Sequence, residues 1–490
     1  MRNKIIYLIL SSWLIATAGC KKLLEKEPDN RAKLNSPEKV AQLLATAYPY
    51  GNYMTFAETS SDNAGDRGSG ITDNTLMDAY MFRDIRSTQQ DSPEFYWHSC
   101  YAAIAAANEA LEAIREQGAD SVKYTDQKGE ALVCRAYAHF MLVNFFSKFY
   151  SASTAATDPG IPYVTEPENV VVKQYDRKTV KYVYDRVEKD LLAGIPLLKD
   201  DAYTVPAYHF TTVAAHAFAA RFYLFKGDFA RVLTHTAFVV PATGIASRLR
   251  PWNTAYAGLT RLELFARYQK ATEPANLLLA ETISDHYRYT IAGRYGFDLT
   301  AARATIANVP AIANSSVTAE WSFINQTYGG DNTVYIPKVN EYFVRRSVNA
   351  DIGTAYVMVP LFTMEEALFS RAEAFVYVNN TAAAIDLLNI YLGTRINNYN
   401  PAIHTLTGPK AMTYYSTTNL QLALINLIID YRQAEFIHEG MRWFDILRYD
   451  IPVQHLLEDG TTITLAAGSK QRLFQLPQSV TLSGLALNPR

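Results

Sequence analysis

The sequence predicts a mainly α protein, built from helical hairpins that carry a loop-rich variable face. Two observations lead to this fold class. Apolar residues recur at i, i+3, i+4 and i+7 behind helix-start signals in successive stretches of the chain. Polar, glycine-bearing insertions interrupt those stretches at 50–75 and at about 240–350.

The first twenty residues, MRNKIIYLILSSWLIATAGC, have the order of an export signal. Arg2 and Lys4 form a positive start, Ile5 to Ile15 is an apolar run too short to span a membrane, and small residues follow. Cys20, directly after Ala18 and Gly19, resembles a lipobox cysteine, whose thiol is diacylated and becomes the mature N-terminus. Thr17 stands where that pattern usually has a branched apolar residue. Several acyl chains give stable anchoring without a spanning helix. No later run reaches 18 consecutive apolar residues. Removing the signal takes the formal charge from −2 to −4, which leaves no electrostatic footprint for nucleic acid. The other cysteines, Cys100 and Cys134, lie on apolar helix faces, where free buried thiols are expected, and no CxxC pair occurs.

The helices follow in order. In SPEKVAQLLATAYP (36–49), Ser36 suits the cap, Pro37 the first helical position and Glu38 the positive end of the dipole. The same opening recurs at 92–114, where Trp97, Tyr101, Ile104 and Leu111 share a stripe with Asn108. Further helical runs cover 129–150, 180–198 and 211–225, and a long helix begins near 419. Tyr223 precedes a Gly227-Asp228 turn and a small-residue helix, and Phe375 precedes Asn379-Asn380 and another. These two hairpins resemble degenerate tetratricopeptide units, although no 34-residue period runs through the chain.

The charged stretch EFIHEGMRWFDILRY (435–449) tests the chain for catalysis. A zinc-protease helix needs His at i and i+4, and Arg442 stands four residues after His438. Glu435 and Glu439 lie one turn apart on one helix face, so they cannot flank a sugar bond. There is no GxSxG elbow, and the Gly-x-Gly spacing at 68–70 lacks a following Lys-Ser or Lys-Thr. Spacing instead suggests i, i+3 ion pairs: Arg432–Glu435, Glu439–Arg442 and Asp445–Arg448. No catalytic residue, metal site or cofactor is expected.

The pattern R-x-x-E-F-x-x-E-G-x-R-W-F-D-x-x-R, here Arg432, Glu435, Phe436, Glu439, Gly440, Arg442, Trp443, Phe444, Asp445 and Arg448, resembles the C-terminal signature of the SusD/RagB family. The segments at 28–49, 97–108, 128–146, 371–380 and 475–489 are similar to others of that family, and the likeness is poorest over about 240–350. The resemblance implies a tetratricopeptide-like SusD fold and a lipid-anchored outer-membrane protein, exposed on the cell surface. It also implies a nutrient ligand, most often a glycan, and a SusC-like TonB-dependent transporter as partner. The expected division is 1–19 signal peptide, 20–210 N-terminal helical region, 211–349 helical hairpin plus loop-rich insertion, and 350–490 C-terminal region. A protein-binding tetratricopeptide adaptor, or import of a peptide, is the alternative role.

A sugar site needs aromatic faces with amide or carboxylate groups at their edges. The hairpins use their rings for packing, which leaves the insertions. Asp62, Asn63 and Asp66 in the first, and Trp321, Asn325, Tyr328 and Asp331 in the second, are the expected ligand contacts, provided the two insertions fold onto one face.

Overall fold

The computed structural model describes residues 34–168, 170, 173–328 and 332–490. Cys20 and Asp331 lie outside the described residues, as does the export signal. Among the described residues no helix is long and apolar enough to cross a membrane.

The structure is mainly α, and the helix starts lie where local chemistry puts them. Ser36 caps Pro37–Leu44 and Ser92 caps Pro93–Glu116, each side chain accepting from a backbone N–H three residues on and each followed by proline. Asn108, midway along the second of these, donates to the Val164 carbonyl oxygen and accepts from Arg135. Both expected hairpins form. Thr212–Lys226 ends at Gly227, which takes a left-handed φ of 78°, and Asp228 caps Phe229–Val239. Met364–Tyr377 turns through Asn379 and Asn380 into Thr381–Leu392. A further antiparallel set packs Pro93–Glu116 on Thr125–Phe146 and the latter on Val180–Gly194. Cys100 and Cys134 are buried and free.

The second insertion is more regular than its composition suggests. Strands β1 (Gly65–Asp66), β2 (Asn276–Ile283), β3 (Tyr295–Gly296), β4 (Gln326–Tyr328), β5 (Thr333–Tyr335), β6 (Glu341–Arg345) and β7 (Gly353–Thr363) precede a final hairpin, β8 (Val453–Leu456) with β9 (Thr462–Leu465). β7 is the centre of an antiparallel sheet in the order β2-β7-β6, and it runs directly into the helix at Met364. One hydrophobic core extends from Val40 to Leu485.

The charged stretch after residue 432 holds this core together, mostly by a pattern other than the expected one. Only Asp445–Arg448 forms as an i, i+3 pair, at 3.1 Å. Arg432 turns from Glu435 to Asp445 at 2.9 Å, because the next helix, Met441–Tyr449, folds back beside it. Glu435 takes a two-pronged bond from Arg395 (2.6 and 3.0 Å) and a hydroxyl bond from Tyr391 (2.9 Å). Glu439 binds Lys338 at 2.8 Å and Tyr268 at 2.7 Å. Arg442 pairs with Asp62 through bonds of 2.7 and 2.8 Å. Glu365, at the start of the helix that β7 feeds, joins Arg395 to Arg250. Burial opposes the charge of Glu435, yet Arg395, Lys338 and Arg250 hold it below the usual carboxylate range. Long-range partners win because an interior charge must be compensated, whereas a solvated helix pair gains only tenths of a kcal/mol.

The turn between the two signature helices is built on glycine and on a carboxylate from far away. Gly440 has φ 67°, and a Cβ there would lie 3.0 Å from the Met54 Cα. Glu58 accepts the backbone N–H of His438 at 2.8 Å, that of Gly440 at 3.0 Å and the Asn63 amide at 3.0 Å. His438 is buried in this turn with φ 70°, and burial, helped by Lys338, keeps its imidazole well below its usual pKa. A neutral ring in that position accepts the Ile336 N–H at 3.3 Å.

Two outcomes follow for stability. Arg395→Ala strands Glu435 in the interior and leaves Glu365 with Arg250 alone, and chemical denaturation should show a loss of about 3–5 kcal/mol; a loss below 1 kcal/mol would mean the network is not needed. Burial pushes Glu58 up to about 7 from its ordinary 4.5. The folded state therefore favours the protonated form, so this stability is present below pH 4.5 and lost as pH rises through 7. The span is about 3 kcal/mol. Glu58→Gln lacks this titration, so wild type should lose stability relative to the variant between pH 4.5 and 7; a difference constant with pH would contradict the assignment.

Candidate functional site

The two insertions do fold onto one face. β1 pairs antiparallel with β3, through Gly65 against Gly296 and Asp66 against Tyr295, and Ile71 bridges Gly293. Arg67 fixes the junction from beneath. Its buried guanidinium donates to the carbonyl oxygens of Gly293 (2.8 Å), Phe297 (3.0 Å) and Thr290 (3.1 Å). Two of those carbonyls close the C-terminal end of the helix His286–Ala292, where a cation is favoured by the helix dipole. A small separate core of Ala64, Leu76, Tyr80 and Tyr295 forms above it.

Four rings make a rigid wall here. Tyr80 stacks on Tyr295 at 4.4 Å and on His455 at 4.1 Å, and Phe82 stacks on the other side of His455 at 4.6 Å. His455, from β8, places its two ring nitrogens 2.7 and 2.8 Å from the Tyr80 and Ser61 carbonyl oxygens. The Tyr80 hydroxyl donates to the Leu456 carbonyl at 2.8 Å. The first insertion, the second insertion and the β8–β9 hairpin are thus clamped together by one stack.

Two open hollows flank this wall. One, of about 400 Å³, is lined by Asp66, Met81, Arg294, Tyr295, Glu458 and Asp459, with Leu457 between the last two and the stack. Arg294 spans it, with bonds of 2.8 and 2.9 Å to Asp66 and 2.9 Å to Glu458. Asp66 is itself buried; burial opposes its charge, but Arg294 holds it below the usual carboxylate range. The groups left facing solvent are the Arg294 guanidinium edge and the carboxylates of Glu458 and Asp459. The second hollow, of about 390 Å³, begins one residue on and includes Phe82, Arg83, Asp84, Arg86, Gln471 and Arg490. Phe82 has φ 52°, a conformation that a bulky L-residue adopts only when its surroundings hold it there.

Of the expected contacts among the described residues, Asp66 is the one that lines either of these hollows. Asp62 is held by Arg442, and Asn63, fully buried, bonds Glu58 and accepts from Gln433 at 2.9 Å. Both fasten the first insertion to the signature turn. Trp321 is 7 % exposed and packs against Phe323, Tyr391 and Tyr431. Asn325 is exposed and donates to the Phe323 carbonyl at 3.2 Å. Tyr328 lies in β4, opposite Thr333 of β5, and Asp331 falls outside the described residues. The hollows are also lined by Phe82, Arg83, Arg294, Tyr295 and Glu458, which were not among the expected contacts. A usable signal existed in MFRDIRS (81–87), where an aromatic and three charges follow a helix with no apolar period. Among the described residues, no three His, Cys, Asp or Glu side chains converge as metal ligands. The arrangement suits recognition of polar edges by charged hydrogen bonds beside aromatic surface.

Comparison with known proteins agrees with this architecture. Residues 22–224 match a family model described as starch-binding and associating with the outer membrane, and residues 313–479 match the model of the SusD family. A SusD superfamily protein from Bacteroides vulgatus ATCC 8482 superposes with TM-score 0.68 at 16% identity, covering 93% of this chain and 99% of its own. One from Bacteroides fragilis does so with TM-score 0.67 at 18% identity, over 92% and 99%. A laminarin-binding SusD-like protein reaches TM-score 0.60 at 16% identity, over 93% and 99%. No curated protein matches the sequence. The solved structures share the fold over nearly the whole length, and the two family models, over 22–224 and 313–479, lead to one conclusion: the chain belongs to the SusD/RagB family.

Proposed function

We propose that the protein is a lipid-anchored, surface-exposed outer-membrane receptor that captures a glycan and delivers it to a SusC-like TonB-dependent transporter. The observation that carries the reading is the junction of the two insertions, where hollows with charged rims flank a four-ring stack. Family membership supports it, as does the description of the N-terminal family model as starch-binding and associating with the outer membrane. A structural neighbour that binds laminarin supports a glucan as the first ligand to try. Cys20 supplies the anchor in this reading.

The chemistry favours weak capture. The hollows are open, and Tyr295 is covered by Tyr80 on one side with the Arg294 guanidinium 5.4 Å from its ring centre. Binding therefore depends on Arg294, Glu458 and Asp459 at sugar hydroxyls and on Phe82 at a sugar face. Trp321 has a packing role.

Isothermal titration with laminarin oligosaccharides tests the site. Phe82→Ala should weaken binding by the folded fraction about tenfold, equivalent to about 1.4 kcal/mol, and should lower the melting temperature as well, because the ring also stacks on His455. Trp321→Ala should lower the melting temperature and leave the affinity of the folded fraction unchanged. Equal affinity in wild type and Phe82→Ala would remove this hollow from the ligand path. Membrane fractionation tests the anchor: Cys20→Ala should move the folded protein out of the outer-membrane fraction in cells that lack the partner barrel. Retention there would disprove anchoring through this residue.

A further inference from the structure

β6 is an open sheet edge with an unusual surface. Tyr342, Phe343 and Val344 are 42%, 41% and 49% exposed, so apolar side chains on both faces of the strand meet solvent. Val348 and Ile352 extend the patch into the turn toward β7. Soluble proteins blunt such edges with short strands, proline or inward charges, and an unblunted apolar edge is a template for another strand.

The hydrogen-bond phase says which backbone groups are available. Arg346 N–H donates to the Ile352 carbonyl, while the Ala355 carbonyl accepts from Ser284 on the β2 side. In an antiparallel ladder bonded residues alternate, so Tyr342 and Val344 face β7. The N–H and C=O groups of Glu341, Phe343 and Arg345 then point away from the sheet. Those three side chains share the face toward the helix His286–Ala292, where Arg288 bonds Glu341 and lies 5.6 Å from the Phe343 ring centre.

The segment Glu341-Tyr342-Phe343-Val344-Arg345 is complementary to itself when reversed. A second copy laid antiparallel about Phe343 sets Glu341 opposite Arg345, Tyr342 opposite Val344 and Phe343 opposite Phe343. Each is a favoured cross-strand pair, and the charge pair occurs twice. The open-edge backbone groups of 341, 343 and 345 then bond one another in phase. One oxygen of the Glu341 carboxylate, Oε2, is buried and has no hydrogen-bond partner among the described residues. Arg345 is 57% exposed and its nearest acid, Asp351, is 4.0 Å away. Pairing would give Arg345 of each copy a closer acid in Glu341 of the other, beside the bond that Glu341 already takes from Arg288.

We propose that β6 pairs with β6 of a second copy of this chain, joining two three-stranded sheets into one of six strands across a two-fold axis. A contact of about five residues per copy falls well below the standard interface size, so the dimer is reversible and forms in the micromolar range.

Sedimentation velocity of the detergent-solubilised full-length protein, across a micromolar concentration series, tests this. The wild type should shift reversibly from monomer to dimer as concentration rises. Phe343→Pro removes an N–H that the fold does not use, at an edge position where proline is tolerated, and should be monomeric throughout with an unchanged melting temperature. Arg345→Glu, which sets like charges opposite each other, should weaken the dimer at least tenfold. A wild type monomeric at every concentration would overturn the proposal, including the case in which this edge receives a strand of another protein. A dimer that persists unchanged in both variants would overturn it as well.

Discussion

Compensation of interior charge is the constraint on which the rest of this structure depends. Arg250, Lys338, Arg395, Arg432, Glu365, Glu435, Glu439 and Asp445 are all within a few per cent of full burial. None of them is tolerable alone, since an isolated interior ion is disfavoured by several kcal/mol. Their positions in the chain run from 250 to 445, so the pairs form only when distant segments have arrived in register. Hydrophobic burial supplies the driving force for collapse, but it is indifferent to which helix sits where. The ion pairs are not, and they specify one arrangement of the helices that end at Glu435 and begin at Met364.

That distinction explains what could be read in advance. The helix caps at Ser36 and Ser92, and the hairpin turns at Gly227 and Asn379, depend on residues within four positions of one another. Local chemistry of this kind is visible in a sequence. The partners of Glu435 and Glu439 are 40 and 101 residues away, and a spacing rule that searches one helical turn finds the wrong cations. β7 was hidden for a related reason. GTAYVMVPLFT alternates imperfectly because its C-terminal half is buried on both sides, and such runs do not distinguish strand from helix.

The face that carries the hollows shows the same limit. The polarity of the insertions was legible in the sequence, although both also send residues into the core, Met54 and Phe56 from the first and Trp252 and Leu278 from the second. Which residues would line the junction was not. Asp62, Asn63 and Asp66 look alike in sequence, yet Arg442 and Glu58 draw the first two to the signature turn and Arg294 draws the third to a hollow. An aromatic residue in or beside an insertion carries no mark of whether its ring will face outward. Trp321 went inward because Tyr391 and Tyr431 present a surface to it, and Phe82 was placed at the rim by stacking on His455, 373 residues further on.

The two thiols have a consequence for how the protein is made. Burial pushes both Cys100 and Cys134 upward, so neither forms a thiolate to any extent at neutral pH, and thiolate is the species that oxidises or exchanges. Every cross-link in the described fold is therefore electrostatic, hydrogen-bonded or apolar, and re-forms unaided after rupture. Folding of the described residues therefore calls for no disulfide-forming catalyst, and these two buried thiols are indifferent to the redox state of their surroundings.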